Sequence, residues 1–136
     1  MVLCLKDLLE ESKSIDKNTN FKIFSTTKLI TVVGVFQLIE KGKLSLEDPI
    51  SRYLNDLPKE WQEIKVKYLL THSSGLPDIV QFEDIPFSLP YSEKITLLSK
   101  KPMSFATGNQ FQYNQTNYLF LAKIIEKISA LTFEEF

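Results

Sequence analysis

Between Lys22 and Glu40 the chain carries one charge, Lys28. The spacing predicts a helix from Ser25 to Lys41, with Gly42 as its stop. Leu29, Ile30, Val32, Val33, Val35, Phe36, Leu38 and Ile39 cover most of its circumference, the pattern of a buried helix. Its β-branched residues lower intrinsic helix propensity, so packing must hold it. Whatever else the chain folds into has to cover this rod. The longest charge-free run, Leu29 to Ile39, is shorter than the roughly 20 apolar residues of a membrane span.

An amine at the head of an apolar helix needs a reason, because burying an unpaired ammonium costs several kcal/mol. Ser25 precedes Lys28 by three residues, which puts both on one helical face. The amine can then hydrogen-bond the serine hydroxyl, and desolvation favours the neutral, proton-accepting form of a lysine. The helix N-terminus adds backbone N–H groups suited to a developing oxyanion. Ser-x-x-Lys in this setting is a nucleophile arrangement. The alternative is an N-cap serine beside a lysine that snorkels to the surface.

Composition narrows the classes. The 136 residues hold 16 basic and 17 acidic side chains, a balance that argues against a nucleic-acid binder with a basic face. One cysteine, Cys4, excludes an internal disulfide framework, and one histidine, His72, leaves too few soft ligands for a His/Cys zinc site. No metal or cofactor is expected. The first residues have no signal-peptide core or cleavage site, and Cys4 reads as a small apolar residue and not as a lipid anchor. The compartment stays open.

Along the chain, a short helix is expected over Val2 to Glu11, then a polar turn. Pro49 suits the first turn of a short helix through Tyr53 and Leu54. Ile64 to Val66 reads as extended, and Lys67 to His72 as one or two helical turns. Four Gly and Pro residues make 73–91 a long loop. Ser92 is the expected N-cap of a helix to about Lys100, and Pro102 stops it. Phe105 to Gln115 reads as a loop or hairpin around Gly108. A second strong helix is expected from Thr116 to Ile128, with Leu119, Phe120, Ile124, Ile125 and Ile128 inward. Thr132 to Glu135 is a capping-box pattern that announces a further helix. The chain ends one residue later, which reads as a cut within a longer fold. His72-Ser-Ser-Gly75 lacks the first glycine of a Gly-x-Ser-x-Gly elbow, so Ser73 is not taken as a nucleophile.

Phe21-Lys-Ile-Phe-Ser-Thr-Thr-Lys28 resembles the nucleophile motif of serine β-lactamases and penicillin-binding proteins. VFQLIEKGKLSLEDPISRYLNDLP (35–58) and IKVKYLLTHSSGLPD (64–78) resemble the class C β-lactamase-related branch, which includes D-alanyl-D-alanine carboxypeptidases and esterases. FQYNQTNYLFLAKIIEKISALTFEEF (111–136) resembles that branch's Tyr-x-Asn motif and following helix. The resemblance covers roughly residues 12–136, and the order of the blocks agrees.

It implies an α+β fold in which Ser25 is the acylated nucleophile, Lys28 takes or relays its proton, and Tyr113 helps activate it and protonates the leaving group. The family's asparagine is Gln115 here. Gln115 keeps the amide donor and acceptor with an added methylene, so its substrate-binding reach is altered. Asn114 or Asn117 are the alternative amides. The implied substrate is a small molecule or peptide with an amide or ester bond, such as a β-lactam or a peptidoglycan peptide.

The family's third motif, Lys-Thr-Gly or His-x-Gly, does not follow Tyr113. The expectation is therefore one partial domain over 1–136, mainly helical, with little of the antiparallel sheet and inactive alone. Residues 1–20 are read as a lead-in to it. The apolar surface that would face the sheet, including part of the 25–41 helix, then needs a partner or stands exposed, and self-association through it is expected. The alternative function is a truncated or non-catalytic relative that acts by binding. Relatives are usually periplasmic, extracellular or membrane-associated.

Overall fold

A computed structural model describes residues 16–136. The expected Val2 to Glu11 helix and Cys4 lie outside the described residues. Among the described residues four α-helices follow in order: α1 (Thr27–Glu40), α2 (Val66–Leu70), α3 (Tyr91–Leu98) and α4 (Gln115–Ser129). Short 3₁₀ turns at Phe24–Thr26, Ile50–Arg52, Lys59–Trp61 and Ile79–Gln81 lie between or before them. Among the described residues the only strand-like pairing is a single antiparallel bridge between Pro49 and Lys65. The described residues are mainly helical, as expected.

α1 ends in a Schellman motif. The Lys43 amide donates to the Leu38 carbonyl and the Gly42 amide to Ile39, at 2.9 Å each. Gly42 has φ +66°, the left-handed conformation that this stop requires. The inner stripe of α1 is Thr31, Gly34, Val35 and Leu38. It packs on α4, whose inner stripe is Thr116, Asn117, Phe120, Leu121, Ile124 and Ile125. Gly34 permits a close approach. A Cβ there would lie 2.9 Å from Cε1 of Phe136 and 3.2 Å from Cδ1 of Ile125. α2 packs on α4 as well, and Trp61, Val66, Leu69, Leu76, Ile79 and Leu98 complete the core.

Several expectations need correction. α1 is not buried all round: Leu29 is 67% exposed, and Ile30, Val33 and Phe36 are exposed with it. No sheet covers that side among the described residues, so only the stripe against α4 leaves solvent. On α4, Leu121 is buried, whereas Leu119 and Ile128 are only partly so. Ser92 does not cap α3. Pro90 holds the N-cap position in extended conformation (φ −55°, ψ 152°), which starts the helix at Tyr91. Around Pro49 there is only a 3₁₀ turn. Thr132 to Glu135 forms both capping-box bonds: the Thr132 amide donates to Glu135 Oε2 at 3.0 Å, and the Glu135 amide to Thr132 Oγ1 at 3.3 Å.

Residues 104–112 form no hairpin with themselves. They run along residues 72–75 instead. The Ser104 amide donates to Gly75 O, the Gly108 amide to Ser73 O and the Gln112 amide to His72 O. Gly75 has φ +75°, and a Cβ on it would stand 2.0 Å from the Phe105 carbonyl oxygen. Gly75→Ala should cost about 2–4 kcal/mol, from the left-handed backbone plus the displaced loop. Urea denaturation measures it. A loss under 1 kcal/mol, about the size of the backbone contribution alone, would show that the loop yields freely.

Candidate active site

The site begins with a turn. Phe24 has φ +45°, in the left-handed region where a bulky residue is disfavoured. The strain is local to the residue preceding Ser25, which sits in the 3₁₀ turn Phe24–Thr26. α1 follows directly, with Lys28 in its first turn. Lys28 Nζ donates to Ser25 Oγ at 3.5 Å, so the i, i+3 geometry read from the sequence is present.

The opposite wall is the start of α4. Asn114 is its N-cap. Its Oδ1 accepts from the Thr116 amide at 2.7 Å, and its Nδ2 donates to the Leu76 carbonyl at 2.6 Å. Thr116 Oγ1 donates to Pro77 O and accepts from the Ile79 amide. Asp78 Oδ1 accepts from the Gln115 amide at 3.0 Å. Asn114, Thr116 and Asp78 are buried. This strap between residues 76–79 and α4 fixes the two residues that reach across to α1.

Those residues are Tyr113 and Gln115. The Tyr113 hydroxyl donates to Ser25 Oγ at 2.9 Å. Lys28 Nζ donates to Gln115 Oε1 at 2.6 Å. Lys28 also lies 4.9 Å from the Tyr113 ring centroid and 5.3 Å from that of Tyr118, both within cation–π range. The four residues singled out in the sequence, Ser25, Lys28, Tyr113 and Gln115, thus meet in space. Lys28 is half-buried and not buried, and it acts as a donor to two oxygens. Ser25 and Tyr113 are exposed, so the hydroxyls are open to solvent on one side.

The Lys28 ammonium beside Tyr113 holds its phenol below the ordinary tyrosine value, and the Ser25 hydroxyl adds to the effect. A phenolate at this position would accept the serine proton. The alternative amides do not compete for the role. Asn114 is committed to the cap and to Leu76, and the Asn117 carbonyl receives the buried Ser74 hydroxyl. Ser73 Oγ is bonded to Thr71 Oγ1, away from this cluster.

A family model described as Beta-lactamase matches residues 7–136. The chain belongs to the beta-lactamase family. It is 32% identical over 137 residues to a penicillin-binding protein of Bacillus subtilis (strain 168), covering 94% of this chain and 29% of that protein. It is 31% identical over 118 residues to the teichoic acid D-alanine hydrolase of Staphylococcus aureus, covering 87% of this chain and 29% of the relative. The crystal structure of D-amino acid amidase from Ochrobactrum anthropi SV3 complexed with L-phenylalanine aligns with a TM-score of 0.70 at 28% identity, covering 85% of this chain and 32% of that one. The chain spans under a third of the length of each of these three proteins.

Sequence reasoning missed three of the residues that hold the site, His72, Asp78 and Thr116, and took the fourth, Asn114, for an alternative amide and not for a cap. Asn114, a capping residue type just ahead of an apolar helix, was the available signal. The electrostatic reading of Tyr113 has a direct test. Lys28→Met should raise the Tyr113 phenol back toward 10.0, the ordinary value. A pH titration of ¹³Cζ-labelled tyrosine by NMR, assigned with Tyr113→Phe, reads it. An unmoved titration would show that Lys28 does not perturb the phenol.

Proposed function

We propose that the full-length protein is a serine hydrolase or acyltransferase in which Ser25 is acylated by an amide or ester substrate. The observation that carries this reading is the double contact on Ser25 Oγ, from the Tyr113 hydroxyl at 2.9 Å and the Lys28 ammonium at 3.5 Å. A serine hydroxyl becomes a useful nucleophile only beside a base that takes its proton. Tyr113 supplies one as phenolate, the form that Lys28 favours.

In acylation the Ser25 Oγ proton passes to the Tyr113 phenolate as Oγ bonds to the substrate carbonyl carbon. The tetrahedral adduct then expels the amine or alcohol, which takes the proton back from Tyr113. In deacylation, water adds to the acyl carbon, gives a proton to Tyr113, and the acyl-oxygen bond to Ser25 breaks as Oγ is reprotonated. Lys28 stays an ammonium throughout and stabilises each phenolate stage.

Gln115 binds rather than reacts. With its carbonyl oxygen on Lys28, its NH₂ group is the donor for a substrate carbonyl. The extra methylene relative to asparagine changes how far that NH₂ group reaches toward substrate. β-Lactams and peptidoglycan peptides carry such a carbonyl beside the scissile bond, and they are the proposed substrate class. The named relatives, a penicillin-binding protein, a D-alanine hydrolase and a D-amino acid amidase, support an amide or ester bond.

Incubating the full-length protein with a fluorescent penicillin, and separately with a fluorophosphonate, should leave an adduct on the peptide containing Ser25, found by mass spectrometry. Ser25→Ala should leave none. Gln115→Ala should lower the acylation efficiency by about tenfold to a hundredfold, the worth of one hydrogen bond in a charged network. A folded sample without an adduct on Ser25 would sink the enzyme reading and favour a relative that only binds.

A further inference from the structure

α2 closes with the same Schellman pattern as α1, but without a glycine. The Ser73 amide donates to Tyr68 O at 2.9 Å and the His72 amide to Leu69 O at 3.3 Å. This puts His72 at the position that usually belongs to glycine, with φ +54°. A residue with a Cβ costs more than glycine in left-handed backbone, so the imidazole is kept there at a local cost. The ring is also buried, being 8% exposed.

The surroundings say what it does. The His72 carbonyl accepts from the Gln112 amide at 2.9 Å. Its ring Nδ1 accepts from the Asn114 amide at 3.1 Å. Asn114 and Gln112 are the two neighbours of Tyr113. The His72 ring lies on the Tyr113 ring itself, with centroids 4.6 Å apart and planes 34° apart. One residue therefore grips the backbone on both sides of Tyr113 and supports its ring from below.

We propose that His72 is the positioning residue for Tyr113, and that it works only as the neutral imidazole with its proton on Nε2. A backbone amide can only donate, so Nδ1 must be unprotonated to receive Asn114. Protonation at Nδ1 turns the acceptor into a second donor aimed at the amide and releases the chain beside Tyr113. This rests on the acyl-transfer reading for its effect on rate, but the clamp itself does not depend on that reading.

The groups facing the ring set its pH response. Lys28 approaches from α1, Asp78 from the loop beyond α2, Tyr113 from the residue before the α4 N-cap and Tyr118 from the first turn of α4. Burial, with the Lys28 charge adding to it, holds His72 below the ordinary histidine value of 6.5, and Asp78 opposes them more weakly. The unfolded chain therefore takes up a proton first as pH falls below about 6.5, and the fold loses stability from there until folded His72 also protonates.

The chain has a single histidine, so its NMR signals are unambiguous. Long-range ¹H–¹⁵N spectra of the 136-residue chain should show the Nε2–H tautomer. The Asn114 amide and the Tyr113 ring resonances should shift with the midpoint of His72, below 6.5. An Nδ1–H tautomer, or Asn114 and Tyr113 signals indifferent to that midpoint, would overturn the clamp. In the full-length protein, His72→Gly suits the left-handed backbone and should fold at least as well, yet slow acylation of Ser25 by about tenfold or more, seen in kcat more than in KM. His72→Asn keeps an acceptor near the Nδ1 position and tolerates positive φ. It should recover to within about threefold of the parent and lose the acid limb of the rate profile. Full acylation in the glycine variant, or an unchanged acid limb in the asparagine variant, would refute the positioning role. Absence of any Ser25 acylation in the parent protein would refute the enzyme reading and leave the NMR outcomes to judge the clamp.

Discussion

Thr116 Oγ1 accepts the Ile79 amide proton and donates its own to the Pro77 carbonyl, in a place that solvent does not reach. Asn114 and Asp78 extend the same seam. Such a seam carries high stakes. Buried donors and acceptors that lose a partner cost about 1–3 kcal/mol each, so the strap holds together or fails as a set. Its consequence is positional. Apart from the 3₁₀ turn Ile79–Gln81 the loop after α2 has no regular structure, yet the strap ties it to α4 and pins the first turn of that helix.

The other half of the site rides on α1, and its distance from α4 is set by packing. Gly34 removes the one side chain that would hold the helices apart where Ile125 and Phe136 lie. Thr31, Val35 and Leu38 are buried in the same stripe. The 2.9 Å contact between Tyr113 and Ser25 joins residues 88 apart in sequence, and no local rule could supply it. It follows from two independent constraints: the depth of the α1 and α4 contact, and the strap that orients Tyr113. The exposed apolar side of α1 takes no part in either, so the cluster forms without the sheet that the α+β fold adds there.

Legibility followed the range of the interactions. The α1 stop at Gly42, the short helix after Ile64, the long helix near Thr116 and the Ser25–Lys28 pair all rest on contacts within five residues, and the sequence carries them openly. Capping was legible where both partners were strong, as at Thr132 and Glu135, and misleading at Ser92, where Pro90 had already fixed an extended backbone one residue before the helix. The outward exposure of Leu29, Ile30, Val33 and Phe36 could not be read from their own pattern, because periodicity reports which residues are apolar and not whether something covers them. Tyr113 and Gln115 were found through a resemblance. His72 was weighed only as a zinc ligand, since a lone histidine gives no hint that its ring and its carbonyl both hold a distant loop.

The way Lys28 is kept charged bears on the chemistry. Among the described residues its ammonium makes no ion pair. It is met instead by the Gln115 amide oxygen, the Ser25 hydroxyl and the faces of two tyrosine rings. These groups offset part of the cost of removing the ammonium from water without neutralising it. A carboxylate in the place of the Gln115 amide would hold the lysine more tightly, but its negative charge would oppose the phenolate beside it and push the tyrosine proton affinity up. An amide leaves the positive charge to act on Tyr113. In the proposed enzyme the residue at 115 then has two duties, to fix the lysine without cancelling it and to face the substrate. Glutamine satisfies the first as well as asparagine does, so the methylene by which they differ falls on the second, the reach toward substrate.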